Sequence, residues 1–202
     1  MKKIILSLLL VSTLGIMSFE SYTKKTRVLI DLGHGGEDFG GKINDHLEKD
    51  IVAKIGTKIE QLNTNSEIEI HFTRTEDKQL SLTSRVELIK NLHPDLVISL
   101  HTNANQDTTK SGIECFISKN ENHVSEKSLQ LAQNLLTEFE NKMSLRSLGV
   151  HKAPFLILNK SEVPTMLVEL GYLSNKNDAT YLTSEEGQEM IAKTLLNYLS
   201  KI

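Results

Sequence analysis

The run Val28-Leu29-Ile30-Asp31-Leu32 stops against Gly33-His34-Gly35-Gly36, and no other stretch constrains the fold as much. A short apolar run bounded by turn residues reads as a buried strand. Glycines then let the backbone bend, or approach another group, where a Cβ would clash. His34 therefore belongs on a loop of small residues at the rim of a sheet. That is where a metal ligand or a catalytic group is wanted. Two further apolar runs end the same way. Residues 95–100 lead into His101, and residues 164–168 lead into Glu169.

Between these runs the period changes. Leu47, Ile51, Ile55, Ile59 and Leu62 recur at helical spacing, which predicts an amphipathic helix over 47–62. Residues 67–72 alternate strictly, as an edge strand does. Ser81 or Thr83 caps a helix that runs to Leu92, and His93-Pro94 ends it. Gly112 opens a strand to Ile117, and residues 125–143 form a long helix with Leu129, Ala132, Leu136 and Phe139 on one stripe. A strand is expected over 153–158, a turn or short helix over 175–182, and a closing helix over 185–199. Strands alternating with helices predict an α/β, three-layer fold with a mostly parallel central sheet flanked by helices.

A chain of 202 residues suits one such domain, placed here at residues 26–202. The net charge is −3 with both signs interspersed, and no basic stripe points to nucleic acid. Cys115 is the only cysteine, so no intrachain disulfide is available, and its apolar neighbours make it a small core residue. Residues 1–22 read differently. Lys2 and Lys3 precede an apolar segment over 4–17, the order of a signal peptide or N-terminal anchor. The segment falls short of the ~20 apolar residues of a usual membrane span, and no cysteine follows it as a lipoprotein signal requires. The remainder is therefore expected outside the cytoplasm, periplasmic or cell-wall associated.

If the apolar strands are parallel, His34, His101 and Glu169 meet at one carboxyl edge of the sheet, where open α/β sheets bind ligands. Glu48, in the first turn of the helix after the first strand, faces the same edge. Two imidazoles and one carboxylate make a catalytic zinc set with a position left for water. A second carboxylate, off the metal, can take the water proton and pass it on. The residues alone leave open whether Glu48 or Glu169 is the third ligand. His46 is the nearest rival imidazole but reads as a loop residue. His71 lies on a solvated strand face, and His93, His123 and His151 read as surface or helix-end residues.

The motifs, taken in order, resemble those of the zinc-dependent N-acetylmuramoyl-L-alanine amidases of the amidase_3 type. Ile30-Asp31-Leu32-Gly33-His34-Gly35-Gly36 matches the opening motif, and Leu47-Glu48-Lys49-Asp50 the glutamate-ligand helix. Thr73-Arg74 and Arg85 follow, then Ile98-Ser99-Leu100-His101-Thr102-Asn103-Ala104, Gly112-Ile113-Glu114 and Val168-Glu169-Leu170-Gly171-Tyr172-Leu173-Ser174-Asn175. The likeness spans about residues 27–199. It implies one zinc ion held by His34, Glu48 and His101, with Glu169 as general base and then acid. The implied reaction is hydrolysis, by a zinc-bound water, of the amide between N-acetylmuramic acid and L-alanine in peptidoglycan. The partners would be the glycan strand and its stem peptide; a protein activator is not identifiable from sequence.

Arg85 has two readings, a bidentate grip on a stem-peptide carboxylate or a structural ion pair. Arg74 reads as a structural tie on its loop. Glu114 is expected to orient a ligand histidine, and Asp31 is ambiguous in the same way. The loop glycines suggest clearance for a glycan strand. Leu32 departs from the proline usual at its position in the family. Two other functions compete: a wall-binding module without chemistry, against which the four intact residues count, and a zinc hydrolase with a different scissile bond.

Overall fold

The computed structural model describes residues 24–143 and 145–202. The expected export segment over residues 1–22 lies outside them. The chain enters through β1 (Thr26–Leu32), and a small hairpin of β2 (Lys42–Ile43) and β3 (His46–Leu47) leads into α1 (Glu48–Leu62). There follow β4 (Ile68–Phe72), α2 (Leu82–Leu92), β5 (Leu96–Asn103), β6 (Ile113–Ser118), α3 (Ser125–Lys142) and β7 (Ser147–Ala153). A single helical turn, α4 (Leu156–Asn159), precedes β8 (Thr165–Tyr172), α5 (Lys176–Thr183) and α6 (Glu185–Leu199).

The main sheet has the order β4-β1-β5-β8-β6-β7. β4, β1, β5 and β8 run parallel, β6 is antiparallel to β8, and β7 is parallel to β6. The α/β sheet is thus mostly parallel, with the alternating strand β4 at its edge. Helices α1, α3 and α6 cover one face, and α2 and α4 the other.

Strand alternation assigns each residue to a face. Val28, Ile30, Leu32, Ile98, Leu100, Met166 and Val168 join the core under α1, α3 and α6. Leu29, Val97 and Leu167 join a smaller core with Ile89, Ile157 and Leu158 under α2 and α4. Full burial of each such side chain is worth about 1.5–3 kcal/mol, so the strands and the helices packed on them both stabilise the fold substantially. On the α2/α4 face the composition changes along the strands. Leu29, Val97 and Leu167 are followed, two residues on, by Asp31, Ser99 and Glu169. The apolar floor becomes polar within one step of the pleat.

Two expectations shift. β5 runs past its expected end at Leu100, so His101 stands on the strand, while Glu169 stands on β8 as expected. The strand expected over 153–158 lies earlier, at Ser147–Ala153. Pro154 cannot donate to a ladder, and the chain turns there into α4. β7 was hard to read because Gly149 and the exposed His151 and Lys152 interrupt its apolar pattern. Cys115 is fully buried, and burial pushes its thiol pKa up, as suits a core residue. Among the described residues no helix is long and apolar enough to cross a membrane.

Candidate metal centre

His34 follows β1 with φ 59, a left-handed conformation uncommon for a side-chain-bearing residue. Its surroundings over-determine it. Gly35 and Asp38 exchange backbone hydrogen bonds of 2.9 and 3.2 Å, closing the loop on itself. Arg85 Nη2 donates to the His34 carbonyl at 2.7 Å, and Arg74 Nη2 to the Gly33 carbonyl at 3.0 Å. Lys49 Nζ donates to the Gly36 carbonyl and to Asp77 Oδ2, at 2.8 and 2.6 Å. The imidazole is oriented too, because Nδ1 meets Asp38 Oδ1 at 2.8 Å, leaving Nε2 to face inward.

Glu48 opens α1 and is 4% exposed. Its Oε2 accepts from the Gly41 backbone at 2.7 Å, and its Oε1 accepts from the Thr102 backbone at 3.0 Å. Oε1 also lies 3.1 Å from His34 Nε2 and 2.9 Å from His101 Nδ1. Burial pushes the Glu48 carboxyl up, but the His101 and His34 rings outweigh it and hold the group well below the carboxylate range. For His34, burial opposes the charge, yet Glu48 and Asp38 raise the pKa above 6.5. The two imidazoles meet edge to face with centroids 4.9 Å apart.

One ligand atom each from His34, Glu48 and His101 lies within 4.8 Å of the others, a group that could hold a metal ion. The donor types suit zinc, with two neutral nitrogens, one carboxylate oxygen and no sulfur. The glycines serve this group directly. A Cβ on Gly33 would stand 2.5 Å from the His101 ring, and one on Gly40 (φ +66) 2.5 Å from both His34 and Glu48. At Gly33 and Gly40 the absent side chain makes room for His101, His34 and Glu48 themselves.

Glu169 is the register partner of His101 across the β5–β8 pair. Its Oε2 is buried and, among the described residues, has no hydrogen-bond partner. Burial raises its carboxyl to about 7; His101 opposes the rise, and Glu48 and Glu114 add to it. A cleft of about 520 Å³ opens over these groups, walled by Leu80–Leu82 before α2 and by Phe155–Ile157 at α4.

Of Arg85's two readings, the structure displays the ion pair. Nη1 donates to Asp31 Oδ1 and to the Leu32 carbonyl (2.8 Å), and Ser99 Oγ donates to Asp31 Oδ2 at 2.6 Å. The guanidinium is 5% exposed, and the bonds described here join it to the floor of the cleft. Arg74, as expected, ties its loop, with Nε donating to the Leu32 carbonyl at 3.2 Å and Nη2 to Lys49 at 2.9 Å.

Glu114 corrects the expectation made of it. It does not bond a ligand histidine. Its Oε1 accepts from Asn103 Nδ2 at 3.0 Å and from the Tyr172 hydroxyl at 2.8 Å, and it stands opposite Glu169 on the antiparallel β6–β8 pair. Asp38 orients the histidine instead, a residue not singled out in the sequence. Its only signal is an acid four residues past His34 in the glycine loop. His46 stands on β3 apart from the three-residue group, and His71 pairs with Glu69 at 2.9 Å.

Leu32 also finds its reason. Its backbone N–H donates to Thr73 Oγ1 at 3.1 Å, a bond that proline would lose, and its side chain packs in the core beside Gly56 of α1.

Known proteins resemble the chain in sequence and in fold. An uncharacterised protein of Bacillus subtilis, YqiI, is 31% identical over 170 residues, covering 84% of this chain and 81% of YqiI. The probable cell wall amidase LytH of Staphylococcus epidermidis is 26% identical over 88% of this chain, which spans only 58% of LytH. An N-acetylmuramoyl-L-alanine amidase of Clostridium difficile superposes with TM-score 0.82 at 28% identity, covering 88% of this chain and 96% of that one. The CwlD amidase of Clostridioides difficile, solved in complex with the GerS lipoprotein, superposes with TM-score 0.79 at 26% identity over 88% of this chain and 100% of that one. Residues 28–201 match the Amidase_3 family, N-acetylmuramoyl-L-alanine amidase, and the chain belongs to that family of hydrolases.

Proposed function

We propose that this chain cleaves the amide between N-acetylmuramic acid and L-alanine in peptidoglycan, using one zinc ion held by His34, Glu48 and His101. Glu169 is the general base and then the general acid. The observation that carries this reading is a pairing of opposites. Three donor atoms converge within 4.8 Å, and beside them lies a carboxylate whose buried oxygen has no partner. A structural ion-pair cluster would leave no such oxygen free.

Zinc held there would lower the pKa of water to about 7 and polarise the scissile carbonyl. The chain's own groups do the rest. Asp38 fixes the His34 ring so that Nε2 faces the ion. The Gly41 and Thr102 amides hold the Glu48 carboxylate in place. Glu169 takes the proton of the attacking water and returns it to the alanine nitrogen. One C–O bond forms, the C–N bond breaks, and the proton ends on the leaving amine.

We also read residues 1–22 as the export signal or anchor and residues 26–202 as the catalytic domain, which would place the enzyme in the periplasm or cell wall. The basic-then-apolar order of residues 2–17 and the cell-wall amidase LytH among its relatives support this. A protein activator, which the sequence does not identify, would be a further partner; the related CwlD amidase, solved in complex with the GerS lipoprotein, supports looking for one.

The test is digestion of purified sacculi with zinc and with a chelator, followed by mass spectrometry of the products. Stem peptides with a free L-alanine amine, and muramic acid with a free lactyl carboxylate, are expected only with zinc. Release of any other fragment, or of none, overturns the assignment.

A further inference from the structure

The cleft over the metal centre offers no free cation. Its arginine, Arg85, is joined to Asp31 and to two backbone carbonyls, and its other ionised groups are acids. Yet the leaving side of the scissile amide is a peptide that carries carboxylates. Cations able to receive one lie further along the same rim of the sheet.

Beyond Glu169 the rim continues through Glu114, its cross-strand neighbour, to the Tyr172 hydroxyl that donates to Glu114. Tyr172 is also a wall of a second hollow, whose other walls include Lys110, Ser111 and Arg146. Lys110 and Arg146 are exposed, and neither forms an ion pair among the described residues. No acid lines the hollow.

The hollow rests on a rigid base. Asp178 is fully buried and ties three points together. It accepts from Ser111 Oγ at 2.7 Å, from the Gly112 backbone at 2.9 Å and from the Tyr172 backbone at 2.9 Å. The Arg146 carbonyl accepts from Ile113 N at 2.9 Å. Gly112 has φ +122, and a Cβ there would lie 2.4 Å from that same carbonyl. The backbones that carry Lys110 and Arg146 are therefore locked to each other and to the end of β8. Asp107 lies near Lys110 but outside the walls of the hollow, so two cations on a preorganised base face the hollow and make an anion site.

We propose that the hollow between Lys110 and Arg146 binds a carboxylate of the stem peptide, on the leaving-amine side of the bond. This rests on the amidase reading. Arg146 supplies a planar fork for the carboxylate and Lys110 a point charge, while the Ser111 hydroxyl stays committed to Asp178 in the base. The subsite would select acidic stem peptides over amidated ones and set the register of the chain across Glu169.

The experiment compares two muramoyl peptides of the same sequence, one with free carboxylates beyond L-alanine and one with those groups amidated. Wild-type zinc protein is expected to show a KM about tenfold lower for the acidic substrate, with kcat within about twofold. The double variant Lys110→Gln/Arg146→Gln is expected to lose that preference and to keep its rate on the amidated substrate. Arg146→Lys should restore part of it. Equal KM values in the wild type, or a preference that survives in the double variant, overturn the subsite. If the wild type cleaves neither substrate, the amidase reading fails instead. Titration of metal-free protein with the acidic tripeptide, followed by NMR, then decides the subsite alone: shifts at Lys110 and Arg146 that vanish on amidation support it, and their absence overturns it.

Discussion

His101 and Glu169 are direct register partners on the adjacent parallel strands β5 and β8. They share a face of the sheet, yet their side chains have different company. His101 Nδ1 is 2.9 Å from Glu48, whereas the buried Glu169 Oε2 has no partner. In the proposed site the separation of ligand from base would rest on Glu48, which reaches both imidazoles and leaves Glu169 unengaged. Here the structure supplies a geometric preference that the residue types alone left open.

Glu169→Gln keeps shape and removes the proton acceptor. The three ligand side chains are untouched, so zinc content by mass spectrometry should remain at one ion per chain. Stem-peptide release should fall by about 10²–10⁴-fold, the usual worth of a positioned general base. Loss of zinc together with activity would instead make Glu169 a ligand.

Metal affinity should depend on pH through His34. A metal needs the neutral ring, and Glu48 and Asp38 raise this histidine above its ordinary 6.5 despite burial. Protons therefore compete with zinc as pH falls through that range, and affinity recovers above it. Chelator competition at pH 8 and pH 6 should show weaker binding at pH 6, approaching a tenfold loss per pH unit below the histidine's pKa. Asp38→Ala should weaken zinc by about 10–100-fold at pH 8, because the ring loses the partner that orients it. A pH-independent affinity would remove His34 from the ligand set.

The pair beneath the cleft makes a stability prediction. Burial pushes the Asp31 carboxyl up, but Arg85, the Ser99 hydroxyl and His101 outweigh it and hold it below 3.8. A carboxyl that is more acidic in the folded state stabilises the fold above its unfolded pKa, and that contribution is lost as pH falls through the folded value. Asp31→Asn leaves Arg85 buried without its counter-charge and should cost about 3–5 kcal/mol at pH 7. Urea unfolding should show the gap between wild type and variant closing below pH ~4. A gap that persists there would mean that the loss is one of packing.

The long periodic elements could be read in the sequence because one force dominates each. The stripe from Ile51 to Ile59 buries in the larger core, and the apolar runs of β1, β5 and β8 bury on both faces of the sheet. The convergence of His34, Glu48, His101 and Glu169 followed from parallel topology, since strand order alone carries their side chains to one edge. Three things were not legible. β7 is an edge strand broken by Gly149, so its pattern is weak. Glu114 has the alternation of an outward residue, and only the antiparallel turn of β6 decides that it meets Tyr172 and Asn103. The loop glycines look alike in sequence; that Gly33 and Gly40 clear the imidazoles while Gly35 and Gly36 clear Lys78 and Gln79 depends on how the loop closes.

Leu32 and Gly56 form a pair whose coupling can be measured. A Cβ on Gly56 would lie 2.8 Å from Leu32 Cδ1 and 3.0 Å from Cδ2. Helix propensity alone favours Gly56→Ala by about 0.5–1 kcal/mol. Overpacking against a buried leucine costs about 1–3 kcal/mol, so the single variant should be less stable than wild type. Leu32→Ala empties the volume beneath and should cost about 2–5 kcal/mol by itself. In that background the added methyl has space and fills part of the cavity, so Gly56→Ala should become stabilising. Chemical denaturation of all four proteins should give a favourable coupling of about 1–3 kcal/mol. Additive effects would show that Leu32 moves aside without strain, and the glycine at 56 would then need another explanation.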